Sequence, residues 1–314
     1  MQENATQSSL PAPLRKLKTA LTYPGAFFRY QSNSVRNFYH GFARIAHPRT
    51  YALRCANTNH LPKKLEIRDA NGFAVFSPEQ VPDGLAQRVV DEVRTHLKAI
   101  DIESIRKTAK KPYLLSVING NEISRDSAIY KLVTHPEIVG AVARYLKCFP
   151  ILTYISVWYS PNMPGEKTGS QQYHLDHEDY RQIKAFMFIE DIGPENGPFT
   201  LLPASESEKA QNVLNYKMTP DDKQVSDETM YRIANKTTST RLTGPAGTLA
   251  LADTSRCFHY GSREGKAPRV MLAFQYMTPF AYVMPWNWRK KTLLPHLHDK
   301  NMSSLERKLL GIEV

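Results

Sequence analysis

The sequence predicts a mainly β domain, an antiparallel sandwich or barrel, with helices on its flanks. Three observations carry this reading. Between residues 151 and 277, short runs rich in β-branched and aromatic residues recur: ILTYISVWYS (151–160), IKAFMFIED (183–191), GPFTLLPAS (197–205), GTLALAD (247–253), CFHYGS (257–262) and RVMLAFQYM (269–277). Several are bounded by Gly, Pro, Asn or Asp, the residues that close turns between strands. Before residue 150 the apolar spacing is helical instead.

The arm comes first. The chain carries a net charge of +11, and residues 1–65 hold ten Lys or Arg against one acid, Glu3, so most of the excess lies there. Such a concentration fits an anionic partner surface (phospholipid, lipopolysaccharide or nucleic acid) or a solvated basic extension. Residues 14–22 place Leu14, Leu17 and Leu21 on one helical face, with Arg15, Lys16 and Lys18 around it. Residues 34–46 repeat the pattern: Val35, Phe38, Tyr39, Phe42 and Ile45 or Ala46 form a stripe, with Arg36, His40 and Arg44 off it. A basic helix with an aromatic stripe either lies on a membrane surface or docks that stripe on its own core.

The domain opens at 71-NGFAVFSPEQ-80 with a turn, a short strand and a Ser-Pro helix start. A helix over 82–99 would bury Leu85, Val89, Val93 and Leu97. Thr134 is the expected cap of a further helix, with Pro136 in its first turn and Ile138, Val142 and Leu146 on one face. A polar, helical insertion interrupts the strands at 206–240, and WNWRKK (286–291) leads into a short helical tail, SSLERKLLG. The organisation expected is thus a basic arm (1–67), a domain (68–283) and a basic tail (284–314).

With 41% apolar residues the chain reads as globular, and no apolar run reaches membrane-spanning length. The start, MQENATQSSLPAP, lacks the basic-then-apolar pattern of a signal peptide. Cys55, Cys148 and Cys257 match no zinc spacing and are expected as reduced thiols of a cytoplasmic protein.

Chemistry concentrates in 171-QQYHLDHEDYRQ-182. In an extended approach to the strand that follows, His174 and Asp176 share one face, and Leu175 and His177 the other. A third ligand must come from elsewhere in the sheet, and the β-rich region offers His259. Two histidines and one carboxylate cover one face of a metal, the ligand set of non-haem Fe(II) oxygenases, and leave positions open for a cosubstrate and O₂. Ten residues after His259, Arg269 begins the last strand. A buried guanidinium there can hold a carboxylate through two parallel charge-assisted hydrogen bonds.

On NGFAVFSPEQ, HLD (174–176), IEDIGPENGPFTLLPASES (189–207) and GTLALADTSRCFHYGSREGKAPRVMLAFQY (247–276), the sequence resembles the phytanoyl-CoA dioxygenase-like branch of the Fe(II)/2-oxoglutarate-dependent oxygenases. The resemblance spans 68–283 and does not reach the arm. It implies a double-stranded β-helix (jelly roll, cupin-like), with iron held by His174, Asp176 and His259. Arg269 would bind 2-oxoglutarate, whose oxidative decarboxylation to succinate and CO₂ drives hydroxylation of a C–H bond. A carboxylate at 176 favours hydroxylation over halogenation. Ala204-Ser205-Glu206 departs from the Gly-Ser-His common in the family.

Around this centre, Tyr154, Gln172, Lys184 and Ser262 are candidates for the cosubstrate side, and Tyr159, His177, Glu178 and Arg181 for the substrate rim, with Asp179 beside them. The arm and WNWRKK suggest work at an anionic membrane surface, peripherally on its inner face, on a lipid-linked sugar such as the Kdo sugar of lipopolysaccharide. Soluble metabolites and acyl-CoA thioesters are the competing substrates. A non-catalytic membrane or nucleic-acid binding protein on an oxygenase fold is the competing class; nucleic acid is disfavoured because the aromatics form no base-stacking motif.

Overall fold

The computed structural model describes residues 17, 18, 20–56, 58, 60–162, 167, 169–216, 224–287 and 293–312. Leu14 to Lys16, most of WNWRKK and part of the insertion lie outside these residues.

Strands β1 (Phe73–Phe76), β2 (Leu115–Asn119), β3 (Ile151–Ser160), β4 (Gln182–Phe188), β5 (Thr200–Leu201), β6 (Thr240–Arg241), β7 (Leu249–Ala252), β8 (His259–Tyr260) and β9 (Arg269–Met277) form two sheets. The larger has the order β1-β7-β4-β9-β3-β2 and the smaller β6-β5-β8. Every strand pairing is antiparallel. The expected double-stranded β-helix with flanking helices is the fold observed.

Strand parity builds the two layers. Strands β4 and β9 pair from Gln182↔Met277 to Phe188↔Met271. Ile183, Ala185 and Met187, with Val270, Leu272, Phe274 and Tyr276, pack with the helices in the main core. The alternate residues Phe186, Phe188, Met271 and Ala273 join Phe199 and Leu201 of the smaller sheet. Lys184 and Arg269 belong to this second, inward set by the same period of two.

The helix Leu85–Leu97 buries Leu85, Val89 and Val93 as its spacing requires. The helix Pro136–Leu146 has Pro in its first turn, but its cap is His135, which accepts from Glu137 N–H. Thr134, expected in that role, closes the preceding helix Ala128–Val133, because its hydroxyl donates to the Tyr130 carbonyl at 2.8 Å. In GPFTLLPAS only Thr200 and Leu201 are strand, since a helix, Ala204–Leu214, starts after Pro203. The amides of Ala204 and Ser205 donate to the carbonyls of Asn71 and Ala70 at 2.8 and 3.0 Å, tying Ala204-Ser205-Glu206 to the domain entrance.

The arm divides the stripe read from its sequence between core and surface. Its helix Asn33–Ala46 turns Arg36, Tyr39, His40 and Ala43 inward, where Tyr39 and Ala43 pack against Cys148, Phe280 and Tyr282. Val35, Phe38, Phe42 and Ile45 face outward, 38, 70, 51 and 79% exposed. Arg36 Nη2 donates to the Asp179 carbonyl at 3.0 Å and its guanidinium lies 5.1 Å from the Tyr282 ring, and His40 packs on the Tyr180 ring at 4.8 Å. Arg36 Nε and His40 Nδ1 have no hydrogen-bond partner among the described residues.

Cys55 and Cys148, expected as free thiols, form a disulfide, while Cys257 is free and buried. The disulfide joins segments that are 93 residues apart and that no spacing rule connects, and beside it Phe149 N–H donates to the Arg54 carbonyl at 2.7 Å. The tail helix Ser304–Leu309 has a Ser303–Glu306 capping box and buries Leu309. Among the described residues no helix is long and apolar enough to cross a membrane.

Candidate metal centre

The ligand peptide enters the smaller sheet through a single bridge. His174 pairs with His259 in antiparallel fashion, His174 N–H donating to the His259 carbonyl at 3.0 Å and the reverse bond measuring 3.1 Å. The flanking Tyr173 and Leu175 are fully buried in a separate apolar cluster with Phe258 and Tyr260. That anchoring turns His174 and Asp176 to the opposite side. Asp176 N–H donates to the Thr254 carbonyl at 2.8 Å, which fixes the extended peptide beyond the bridge.

One ligand atom each from His174, Asp176 and His259 lies within 4.8 Å of the others, a facial-triad-like arrangement. His174 Nδ1–H donates to the Gln172 carbonyl and His259 Nδ1–H to the Cys257 carbonyl, each at 2.9 Å. These bonds fix both tautomers with Nε2 as the ligating nitrogen. His174 Nε2 is 4.0 Å from Asp176 Oδ1 and His259 Nε2 is 3.7 Å from Oδ2. Burial, reinforced by the His174 neighbour, lowers the His259 pKa to about 3 and keeps the ring neutral, as a metal ligand must be. For Asp176, burial opposes ionisation, but the Lys184 ammonium, His259 and His174 outweigh it and hold the carboxyl below its usual range.

Arg269 is buried at 2% exposure. One Nη donates to the Gly197 carbonyl at 2.6 Å, and Nε has no partner. Burial alone pulls its pKa down to about 10, and among the described residues no carboxylate pairs with it. A buried cation without an anion is costly unless a ligand supplies one. A His₂Asp donor set beside such a cation fits a divalent metal and a dicarboxylate cosubstrate. The donor set and the buried cation are the groups that a non-haem Fe(II) centre with a 2-oxoglutarate cosubstrate requires.

The triad, Arg269, Tyr154, Lys184, Ser262, His177 and Glu178 all line one cavity of about 1200 Å³. Tyr154 Oη is buried there without a partner. Lys184 is spent on the triad, its Nζ 2.6 Å from Asp176 Oδ2, where a cosubstrate contact was expected. Ser262 Oγ donates to Asn162 Oδ1, so its hydroxyl proton is committed. Gln172 contributes its backbone carbonyl to His174, and its side chain does not line the cavity.

Two rim candidates fall elsewhere. Tyr159 has the wrong parity on β3 and packs with the helix-side core; Trp158 and Ser156 line the cavity instead. Arg181 pairs with Asp69 at 2.6 Å and stacks over Tyr145, away from the cavity. Asp179 is fully buried beneath the rim; it accepts from Tyr180 and Thr278 N–H, and burial raises its pKa to about 7.

Asn162 and Gly197 were not singled out individually. Gly197 has φ +58°, and a Cβ there would lie 2.8 Å from both the Arg263 carbonyl and Asn162 Oδ1. Glu195-Asn196-Gly197-Pro198 is thus a tight turn whose carbonyl seats Arg269. The glycine in that motif was the available signal.

No family profile matches this sequence, and a search of curated proteins by sequence found no match. Solved structures give distant likenesses. EctD from S. alaskensis, in its apoform, aligns at TM-score 0.47 and 14% identity over 78% of this chain and 84% of its own. The epimerase SnoN, in complex with Fe³⁺, alpha-ketoglutarate and nogalamycin RO, aligns at 0.46 and 15%, covering 68% and 81%. HygX from Streptomyces hygroscopicus, with nickel, 2-oxoglutarate and hygromycin B, aligns at 0.45 and 16%, covering 68% and 85%. At these values no activity or substrate transfers to this chain.

Proposed function

We propose that this chain hydroxylates a C–H bond of an anionic, membrane-associated substrate, a lipid-linked sugar of the Kdo type in lipopolysaccharide being the reading we favour. The reaction rests on one observation: two tautomer-fixed histidines and Asp176 converge in a cavity that also holds Arg269, a buried cation with no carboxylate partner among the described residues. When bound, iron and 2-oxoglutarate supply the oxidising chemistry with O₂.

The chain's residues hold and aim. His174 and His259 present Nε2 because backbone carbonyls take Nδ1–H. Asp176 shares its charge between the metal side and Lys184, which fixes the carboxylate's orientation. Arg269 takes the distal carboxylate of 2-oxoglutarate, and the buried Tyr154 hydroxyl offers a hydrogen bond within the same cavity. Phe199, stacked at 5.2 Å on the His259 ring, screens that ligand from water.

The remaining wall combines Lys111, Asn119, Asn121, Glu122 and Gln224 with aromatic Tyr113 and Trp158 and apolar Leu114, Ile155, Met271 and Leu294. The amides, the cation and the aromatic platforms suit a hydroxyl-rich anion, and the apolar side chains an adjoining acyl portion, a combination that fits a lipid-linked sugar. A cytoplasmic place loses the support of free thiols, since Cys55 and Cys148 are joined.

Succinate release with Fe(II), 2-oxoglutarate and O₂ tests the reading, screened against lipopolysaccharide, lipid extracts and soluble metabolites. Stimulation by lipopolysaccharide is expected. Stimulation by soluble metabolites alone overturns the substrate, and no turnover together with no metal binding overturns the enzyme.

A further inference from the structure

The outward stripe of the arm is unusual in kind. Single exposed apolar residues are ordinary on soluble proteins, but a contiguous set on one helix face is not. Val35, Phe38, Phe42 and Ile45 follow one another along the exposed side of Asn33–Ala46. Trp286 extends the patch, its ring 6.1 Å from Phe42, and Trp286 N–H donates to the Thr22 carbonyl at 2.7 Å. Beside Thr22, Leu21 is 72% exposed, and Leu17, one turn earlier, 55%.

Charge identifies the partner. Residues 17–65 contain no Asp or Glu, while Lys18 and Arg49 are exposed and Arg44 is half-buried among the apolar residues. A second copy would bring two wholly basic surfaces face to face. A nucleic-acid backbone would satisfy the cations but leave Leu21 and Ile45 in water. An anionic bilayer takes both, cations at the headgroups and apolar side chains at the acyl boundary.

The same helix borders the site. Its inward face grips residues 179 and 180 through Arg36 and His40, and Tyr30 Oη lies 3.3 Å from Nε2 of His177, which lines the cavity. We propose that Leu17, Leu21, Val35, Phe38, Phe42 and Ile45, ringed by Lys18, Arg44 and Arg49, form a docking face for an anionic lipid bilayer beside the cavity mouth. This deepens the membrane-substrate reading above, and lipid binding itself needs no catalysis.

The test is flotation of the full chain with vesicles of phosphatidylglycerol and phosphatidylcholine, or of phosphatidylcholine alone, without iron or 2-oxoglutarate. Binding to the anionic vesicles only, weakening with salt, is expected. The Phe38→Ser/Ile45→Ser double variant should bind roughly tenfold or more weakly, having lost buried apolar contact. Its melting temperature and its lipid-free 2-oxoglutarate turnover should match the wild type. Absent wild-type binding, equal binding by the variant, or a dimer that the substitutions dissociate without any lipid binding would each overturn the proposal. Succinate release is measured separately, so either reading can fail while the other stands.

Discussion

The interior of the β-roll and the outer face of the arm invert the usual pattern of burial in opposite senses. In the roll, Asp176, Lys184 and Arg269 are charged and nearly inaccessible. On the arm, Phe38 and Ile45 are apolar and open to solvent, while Arg36 and His40 on the same helix are buried. The compensation differs. On the arm, the Arg36 guanidinium has the Asp179 carbonyl and the Tyr282 ring 5.1 Å away, and burial lowers the His40 pKa to about 3, so that ring is buried neutral against Tyr180. In the roll, Asp176 has a cation, while Arg269 has the Gly197 carbonyl and, among the described residues, no carboxylate. Strained burial inside points to a small charged ligand; unburied apolar surface outside points to an extended one.

The comparison breaks most sharply within the arm helix. Tyr39 is 5% exposed and stacks at 4.6 Å on Phe28, so Tyr39→Ala should cost about 3–4 kcal/mol in urea unfolding. A cost near zero would mean that the arm does not pack on the roll. In the interior, Lys184→Met leaves Asp176 a buried carboxylate without its ammonium. The metal-free protein should lose about 3 kcal/mol, and a divalent ion should restore much of it. Equal losses with and without metal would separate Lys184 from the triad.

Arg269→Met removes an unpaired charge together with one hydrogen bond to Gly197. Without cosubstrate its stability should change by no more than about 1 kcal/mol, because the two effects oppose each other. With 2-oxoglutarate at a hundredfold its dissociation constant, the wild type should gain about 2.7 kcal/mol and the variant little. Equal thermal shifts would remove Arg269 from the cosubstrate site. Smallest of all, Phe38→Ser in lipid-free solution should stay within about 0.5 kcal/mol of wild type. A larger loss would show that the stripe already has a partner within the chain.

The strand runs were legible from local period and the His174–Asp176 pair from spacing, while His259, bridged to His174 across 85 residues, was legible only as the histidine that the β-rich region offers for a third ligand. Arg269 was legible as an inward position of β9, and there the structure places a buried guanidinium. Tyr154 and Tyr159 stand five positions apart on β3 and so face opposite sides, and which of the two faces the cavity cannot be read without the partner strand. The arm's orientation was hidden for a related reason. Arg36 is buried only because the Asp179 carbonyl, 143 residues away, accepts from it. The Cys55–Cys148 pair likewise depends on a contact across 93 residues. Lys184 was visible as an odd residue in an apolar strand, but its partner Asp176 emerges only when β4 and the ligand peptide face one cavity.

The central claim is that the triad and Arg269 act as one site for iron and 2-oxoglutarate. Anaerobic titration of Fe(II) and 2-oxoglutarate, followed by visible absorption, tests it most directly. A weak metal-to-ligand band should appear only with both present, vanish in His174→Ala, and require far more 2-oxoglutarate in Arg269→Met. A band that survives loss of His174, or no band with metal shown to be bound, would contradict the account.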